Sequence, residues 1–191
     1  MGSRTSSLLQ QEEIEEIQQE TGFSPKQIVR LYSRFTNLDK SDRGMLRVED
    51  LYRIPELVIN PLGERIIQTF FLECESDQIN FRQFMTTLGL FRPYHKKHDG
   101  LEAINTREKK LKFAFQMYDV DNDGSIARDE LLVLLHMMVG SNITEEQLGA
   151  IADRTLTEAD LDQDGQISFD EFLKALEKSD IEQMMSIRFL N

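Results

Sequence analysis

Only one cysteine, Cys74, occurs in 191 residues, so no disulfide can form within the chain. That excludes a disulfide scaffold and points to a reducing, cytosolic setting. No nucleophile–base constellation surrounds Cys74, which reads as an inert thiol. Long apolar runs are missing too. Nothing reaches the roughly 20 residues of a membrane span, and no signal-peptide pattern opens the chain. Positive charge is in deficit: 22 Lys and Arg stand against 34 Asp and Glu, a net charge of −12, with a pI near 4.7. That balance repels nucleic acid and bare anionic membrane, and suits cations or a basic partner. With no basic stripe carrying interleaved aromatics, nucleic acid is excluded as a partner. Histidine is scarce as well. His95 and His98 lack the further ligands of a transition-metal site, and His136 lies in an apolar helical stretch. No nucleophile–base set or phosphate loop appears anywhere, so no enzyme activity is expected.

What the chain does contain is a repeat. Asp119, Asp121, Asp123, Gly124 and Glu130 recur, with the same spacing, as Asp160, Asp162, Asp164, Gly165 and Glu171. Both stretches fit the twelve-residue EF-hand loop, D-x-[DN]-x-[DN]-G with Glu at the twelfth place. The chemistry explains the spacing. Calcium is a hard ion that takes about six to eight oxygens, so carboxylates at positions 1, 3 and 5 wrap one side. Glycine at position 6 makes the sharp bend, the backbone carbonyls of Ser125 and Gln166 serve at position 7, and Glu130 and Glu171 clamp bidentately. Crowded carboxylates repel one another without a cation, which drives binding. Two ions are expected. Position 9 differs between the loops: Ser168 has a hydroxyl to hold a ligand water, whereas Ala127 has none, so the second loop is expected to bind at least as well.

Two degenerate copies precede these. One runs from Asp39 through Ser41, Arg43 and Gly44 to Asp50, with a cation where a carboxylate belongs and a side chain one methylene short at the clamp. The other runs from Leu72 through Cys74 to Gln83 and has lost nearly every ligand. Yet position 8 stays apolar in all four, as Leu46, Ile79, Ile126 and Ile167. That residue is expected to join a short strand linking paired loops, a duty that needs no metal. The first two hands are therefore expected to be metal-free scaffold.

Helix signals frame the loops. Ser24, Pro25 and Gln27 read as N-cap, first-turn proline and capping-box partner, and Ile28, Leu31, Tyr32, Phe35 and Leu38 follow at helical spacing. Asn60-Pro61 is expected to start another helix. Thr144 with Gln147 caps the helix entering the fourth loop, along which Leu148, Ile151, Ala152 and Leu156 lie. The expected fold is all-α, two-lobed, with four helix–loop–helix units. Residues 1–23 hold an N-terminal signal and acidic helix, 24–91 the N-lobe, 92–105 a polar, aperiodic linker, 106–179 the C-lobe and 180–191 an apolar tail.

Two features point to partners. The exit helix of hand three, Leu131 to Val139, is apolar all round, so it needs a second covering besides its own lobe. Leu134, Leu135 and Met138 are the residues expected there, joined by Met184 and Ile187 of the tail, and flexible thioethers suit a helix-binding groove. Plain core is the rival reading. The N-terminus, Met1-Gly2-Ser3-Arg4-Thr5-Ser6, fits the N-myristoylation pattern M-G-x-x-x-[ST], with Gly2 as acceptor. One such chain anchors only marginally, so a membrane-embedded partner would have to add the second contact.

The segments Ile54-Pro-Glu-Leu, Asn60-Pro-Leu, Phe113-Ala-Phe, Met137-Met-Val-Gly and Ile151-Ala-Asp-Arg-Thr resemble the calcineurin B group. Two dead hands, where calcineurin B carries four intact loops, a longer inter-lobe segment and the ending from Glu182 to Leu190 narrow the resemblance to the calcineurin B homologous proteins. It spans essentially the whole chain. It implies a myristoylated cytoplasmic cofactor of plasma-membrane Na+/H+ exchangers, binding an amphipathic helix just after the exchanger's membrane domain. It further implies inhibition of calcineurin through calcineurin A, links to vesicle traffic on endomembranes, and nuclear shuttling. A calcineurin B-like phosphatase regulatory subunit is the nearest alternative, and a soluble calcium buffer or sensor is another. A buffer would need neither an acylation signal nor a surplus apolar face.

Overall fold

Ser24 sits in extended backbone and its hydroxyl accepts from the Gln27 amide at 3.4 Å, while Gln27 Oε1 accepts from the Ser24 amide at 3.0 Å. This reciprocal cap satisfies two donors that the first turn cannot satisfy itself, and starts α2 (Pro25–Leu38) where the sequence places it. Thr144 and Gln147 do the same for α9 (Glu145–Ala159). The structure is a computed structural model and describes residues 9–92 and 104–180. Gly2, His95, His98, Met184 and Ile187 lie outside the described residues, as do nearly all of the linker and the tail.

The chain runs α1 (Gln11–Thr21), α2, β1 (Met45–Arg47), α3 (Val48–Leu51), α4 (Pro55–Ile59), α5 (Gly63–Glu73), β2 (Gln78–Asn80) and α6 (Phe81–Leu90), which form the N-lobe. The C-lobe comprises α7 (Arg107–Tyr118), β3 (Ser125–Ala127), α8 (Arg128–Val139), a single 3-10 turn, α9, β4 (Gln166–Ser168) and α10 (Phe169–Ala175). It is an all-helical, two-lobed EF-hand architecture. Each lobe holds one two-stranded antiparallel sheet, with Leu46 opposite Ile79 and Ile126 opposite Ile167. All four of these position-8 residues are buried. The strand pairing survives the loss of ligands because it rests on backbone hydrogen bonds and a buried side chain.

Three local features shape the N-lobe. The Asn60-Pro61 pair does not open a helix: Asn60 Oδ1 accepts from the Leu62 amide at 2.9 Å, forming a turn, and α5 begins at Gly63. The exit helix of hand one is cut in two because Pro55 forces Ile54 into extended backbone. Third, α1 is no separate segment. Ile14, Ile17 and Phe23 belong to the N-lobe core, and Arg82 of α6 pairs with Glu16 and Glu20 on α1.

The lobes do not have wholly separate cores. Leu111 and Phe115 of α7 pack in the C-lobe, but Phe113, from the same helix, belongs to the N-lobe core and meets Phe91 edge-on at 5.0 Å between ring centroids. No helix among the described residues is long and apolar enough to cross a membrane.

Candidate metal centre

Each C-terminal loop begins where its entering helix ends. Asp119 caps α7, its amide donating to Phe115 O, and Asp160 caps α9 through Leu156 O. The chain then winds inward through two left-handed residues, Asn122 (φ +58°) and Gly124 (φ +94°) in one loop, Gln163 (φ +65°) and Gly165 (φ +87°) in the other. Glycine and asparagine tolerate that region, the loop holds Gln163 there as well, and the path turns successive amides toward the first aspartate. Gly124 N donates to Asp119 Oδ2 at 3.0 Å, and Gly165 N to Asp160 Oδ2 at 2.8 Å.

The clamp residues are held from both ends. Glu130 Oε1 accepts from the Val120 amide at 2.6 Å and Oε2 from the Ala127 amide at 2.7 Å. Glu171 repeats this with Leu161 at 2.7 Å and Ser168 at 2.8 Å, and gains the Ser168 hydroxyl at 2.7 Å, which Ala127 cannot supply. The position-9 difference seen in sequence therefore acts on the glutamate. Carboxylate oxygens of Asp119, Asp121 and Glu130 lie within 4.8 Å of one another, as do those of Asp160, Asp162 and Asp164. Asp123 and Glu171 fall outside these tightest groups. Asp123 Oδ1 is turned to the Ser125 amide at 2.9 Å and hydroxyl at 2.7 Å.

The electrostatics follow from this crowding. Burial pushes the Asp119 carboxyl above its usual range, and the Glu130 and Asp123 charges push it further, against donation from Gly124 and Asp123. Asp162 is also raised: the Asp164 amide opposes the shift, but slight burial and the carboxylates of Asp164, Glu171 and Asp160 outweigh it. Glu171 is pulled the other way, to about 2, by the Ser168 amide first, then its hydroxyl and the Leu161 amide. A depressed carboxyl stabilises the fold fully above its ordinary value and loses that contribution as pH falls through the folded value. The contribution of Glu171 is therefore present above the ordinary glutamate range and is lost only as pH falls toward about 2. An all-oxygen, charged donor set carried on an irregular loop fits calcium and not a soft or strictly octahedral ion. Asp119, Asp121, Asp123 and Glu130 with the Ser125 carbonyl would hold one ion; Asp160, Asp162, Asp164 and Glu171 with the Gln166 carbonyl would hold the other. The two position-7 residues also meet, the Ser125 hydroxyl sharing its proton between Asp123 Oδ1 and Gln166 Oε1 across the sheet, a contact no motif announces.

The N-terminal loops are occupied by the protein's own groups. In the first, Asp39 accepts from the Ser41 hydroxyl at 3.0 Å and the Gly44 amide at 2.7 Å. Asp50 at the clamp position accepts from the Arg47 amide at 3.0 Å and lies 3.3 Å from the Arg53 guanidinium, which also donates to Leu38 O at 3.0 Å. A guanidinium thus ties the clamp to the end of the entering helix. In the second, only Glu75 (φ +48°) is left-handed and position 6 is not, so the winding itself has changed. Gln83 and Asn80 there cap each other.

On α8, Leu134 is buried at 1 % exposure, which corrects its expected place on an open partner face. Leu135 is half-buried against the C-lobe core, while Met138 and Val133 are 52 % and 44 % exposed. Helical rotation sends adjacent residues of an apolar helix to different sides, and sequence alone does not say which side is covered. His136 is exposed. Cys74 is half-buried, 3.5 Å from the Thr87 hydroxyl, and burial raises its thiol pKa, as suits an inert group.

Paired helix–loop–helix units, strand-linked loops and clustered carboxylates define a calcium-binding EF-hand protein. Residues 108–177 match the EF-hand domain pair family. A calcineurin B subunit from Naegleria gruberi is 44% identical over 188 residues, covering 98% of this chain and 99% of its own. The type 2 and type 1 calcineurin B subunits from Dictyostelium discoideum are 43% and 41% identical, each over 96% of this chain and 95% and 96% of their own. The chain belongs to the calcineurin B family.

Proposed function

We propose that this chain is a calcium-binding regulatory subunit of a calcineurin-type assembly, without catalysis of its own. What supports the reading is similarity along the whole chain, dead hands included, to proteins named as the B subunits of calcineurin. The loss of ligands in two hands alters a few side chains, and it weighs less than similarity over 98% of the chain. The same relatives lend no support to the exchanger-cofactor reading that the dead hands suggested. In the proposed role the C-terminal loops take two ions, which relieves the repulsion among their carboxylates and rigidifies the C-lobe. Exposed apolar side chains on α8, Met138 among them, are then available to a catalytic subunit of the calcineurin A type. Gly2 is the proposed acyl acceptor, giving peripheral membrane attachment to a cytoplasmic protein; its sequence pattern supports this.

The test mixes the purified, full-length chain with a calcineurin catalytic subunit and, separately, with an amphipathic juxtamembrane helix of a Na+/H+ exchanger. Size-exclusion chromatography in calcium should give a stoichiometric complex with the catalytic subunit. The double substitution Glu130→Gln plus Glu171→Gln should remove both calcium sites in calorimetry and weaken that complex. Binding to the exchanger helix with none to the catalytic subunit would overturn the proposal.

A further inference from the structure

Arg65 lies on α5, in the lobe whose loops have lost their ligands, yet its hydrogen bonds are directed mainly at the other lobe. Nε donates to Met117 O at 2.9 Å, and Nη2 donates to Gln116 O at 2.9 Å and Asp119 O at 3.2 Å. Only Nη1 stays at home, on Gln68 Oε1 at 2.7 Å. The residue is 7 % exposed. Its targets are the carbonyls of the last turn of α7, which have no partner within their own helix. A cation at a helix C-terminus also meets the negative end of the dipole. The last of these acceptors belongs to Asp119, position 1 of the first C-terminal loop, whose side chain must point at the ion. Beyond the carbonyls, the guanidinium faces the charges of Asp119, Glu130 and Glu64. Neither motif nor spacing marks Arg65.

We propose that Arg65 is a positioning residue for the calcium site at Asp119–Glu130: by fixing the end of α7 and the Asp119 backbone, it makes the metal-free N-lobe a determinant of calcium affinity at that loop. The inference rests on the reading of that loop as a calcium site. Two effects of the side chain oppose each other. Its charge works against a second cation nearby, while its planar fork holds three carbonyls in one arrangement. Lysine keeps the charge and loses the fork, so Arg65→Lys isolates positioning. Because binding free energies are linked reciprocally, calcium at this loop must in turn tighten the hold on α5.

Calorimetric calcium titrations of the full-length protein test this in two backgrounds. With Glu171→Gln, only the loop at Asp119 reads out; with Glu130→Gln, only the loop at Asp160. Arg65→Lys should weaken the first loop by about tenfold, the loss of one or two buried hydrogen bonds, and leave the second within about twofold. An unchanged first loop, or equal weakening of both, would overturn the proposal, since a merely structural role lowers melting temperature without changing the ratio. Should Arg65→Lys fail to fold, hydrogen exchange decides without touching Arg65. Calcium should slow exchange of the α5 amides in wild type and in Glu171→Gln but not in Glu130→Gln, and no response of α5 in wild type overturns the idea. If Glu171→Gln binds no calcium at all, the calcium reading of this loop falls, and the inference with it.

Discussion

Asp50 shows how little it takes to convert a metal loop into a closed one. Its carboxylate is buried, accepts from the Arg47 amide, and lies 3.3 Å from Arg53, which also reaches Leu38 O. The guanidinium thereby links the clamp to the entering helix, as a bound ion would. Arg43 at position 5, the most conspicuous fault in the sequence, is exposed and is not what holds this loop shut. Restoring a carboxylate there with Arg43→Asp should therefore add no third calcium site in calorimetry. Arg43→Asp combined with Asp50→Glu and Arg53→Leu should add one, weaker than the two sites proposed in the C-lobe. A third tight site in the single variant would show that Arg53 does not govern the clamp.

Between elements, α5 approaches α4 closely at Gly63. A Cβ built on Gly63 would lie 1.8 Å from Leu57 O and 2.8 Å from its carbonyl carbon, both backbone atoms that no rotamer change can move. Gly63 is needed for this close approach, and not for its own backbone angles. The Asn60 turn that delays α5 until Gly63 sets up the same crossing. Gly63→Ala should cost about 1–3 kcal/mol through forced backbone shifts, which for a chain of this length lowers the melting temperature by about 2–4 °C per kcal/mol. Differential scanning calorimetry measures it, and an unchanged melting temperature would mean that α4 yields freely. Calcium stoichiometry should not change, because both proposed calcium loops lie in the other lobe.

For the molecule as a whole, α7 is the shared element. Leu111 and Phe115 belong to the C-lobe core, Phe113 belongs to the N-lobe core, and Arg65 crosses from α5 to the end of the same helix. The two lobes should accordingly unfold together in wild type, and calcium bound only in the C-lobe should raise the stability of both by mass action. Phe113→Ala removes a side chain that is 1 % exposed, and should cost about 3–5 kcal/mol. It should also split the calorimetric transition in two, with the N-lobe melting first and no longer responding to calcium. A single transition in the variant, still shifted by calcium across its whole width, would show that coupling does not run through this side chain.

The two acidic loops are legible in sequence because an EF-hand loop is local: twelve contiguous residues supply charge and bend, and the fold brings Asp119, Asp121 and Glu130 together in one and Asp160, Asp162 and Asp164 in the other. The caps of α2 and α9 and the paired position-8 residues were legible for the same reason, each resting on neighbours three residues apart or on a repeated place in a loop. The beginning of α5 is not legible, because Asn60-Pro61 serves a turn as well as a helix start, and the turn's own hydrogen bond from the Leu62 amide prevails. What only the tertiary structure decided involves partners far apart in the chain. Arg65 meets carbonyls 51 to 54 residues away, Phe113 of the C-lobe's first helix enters the N-lobe core, and Leu134 turns inward while Met138 stays exposed. Hydrophobic periodicity says that a side chain needs cover, but which surface provides it depends on how whole helices pack. For α7 and α8, apolar on more than one side, more than one packing satisfies the pattern, and the fold selects among them by shape.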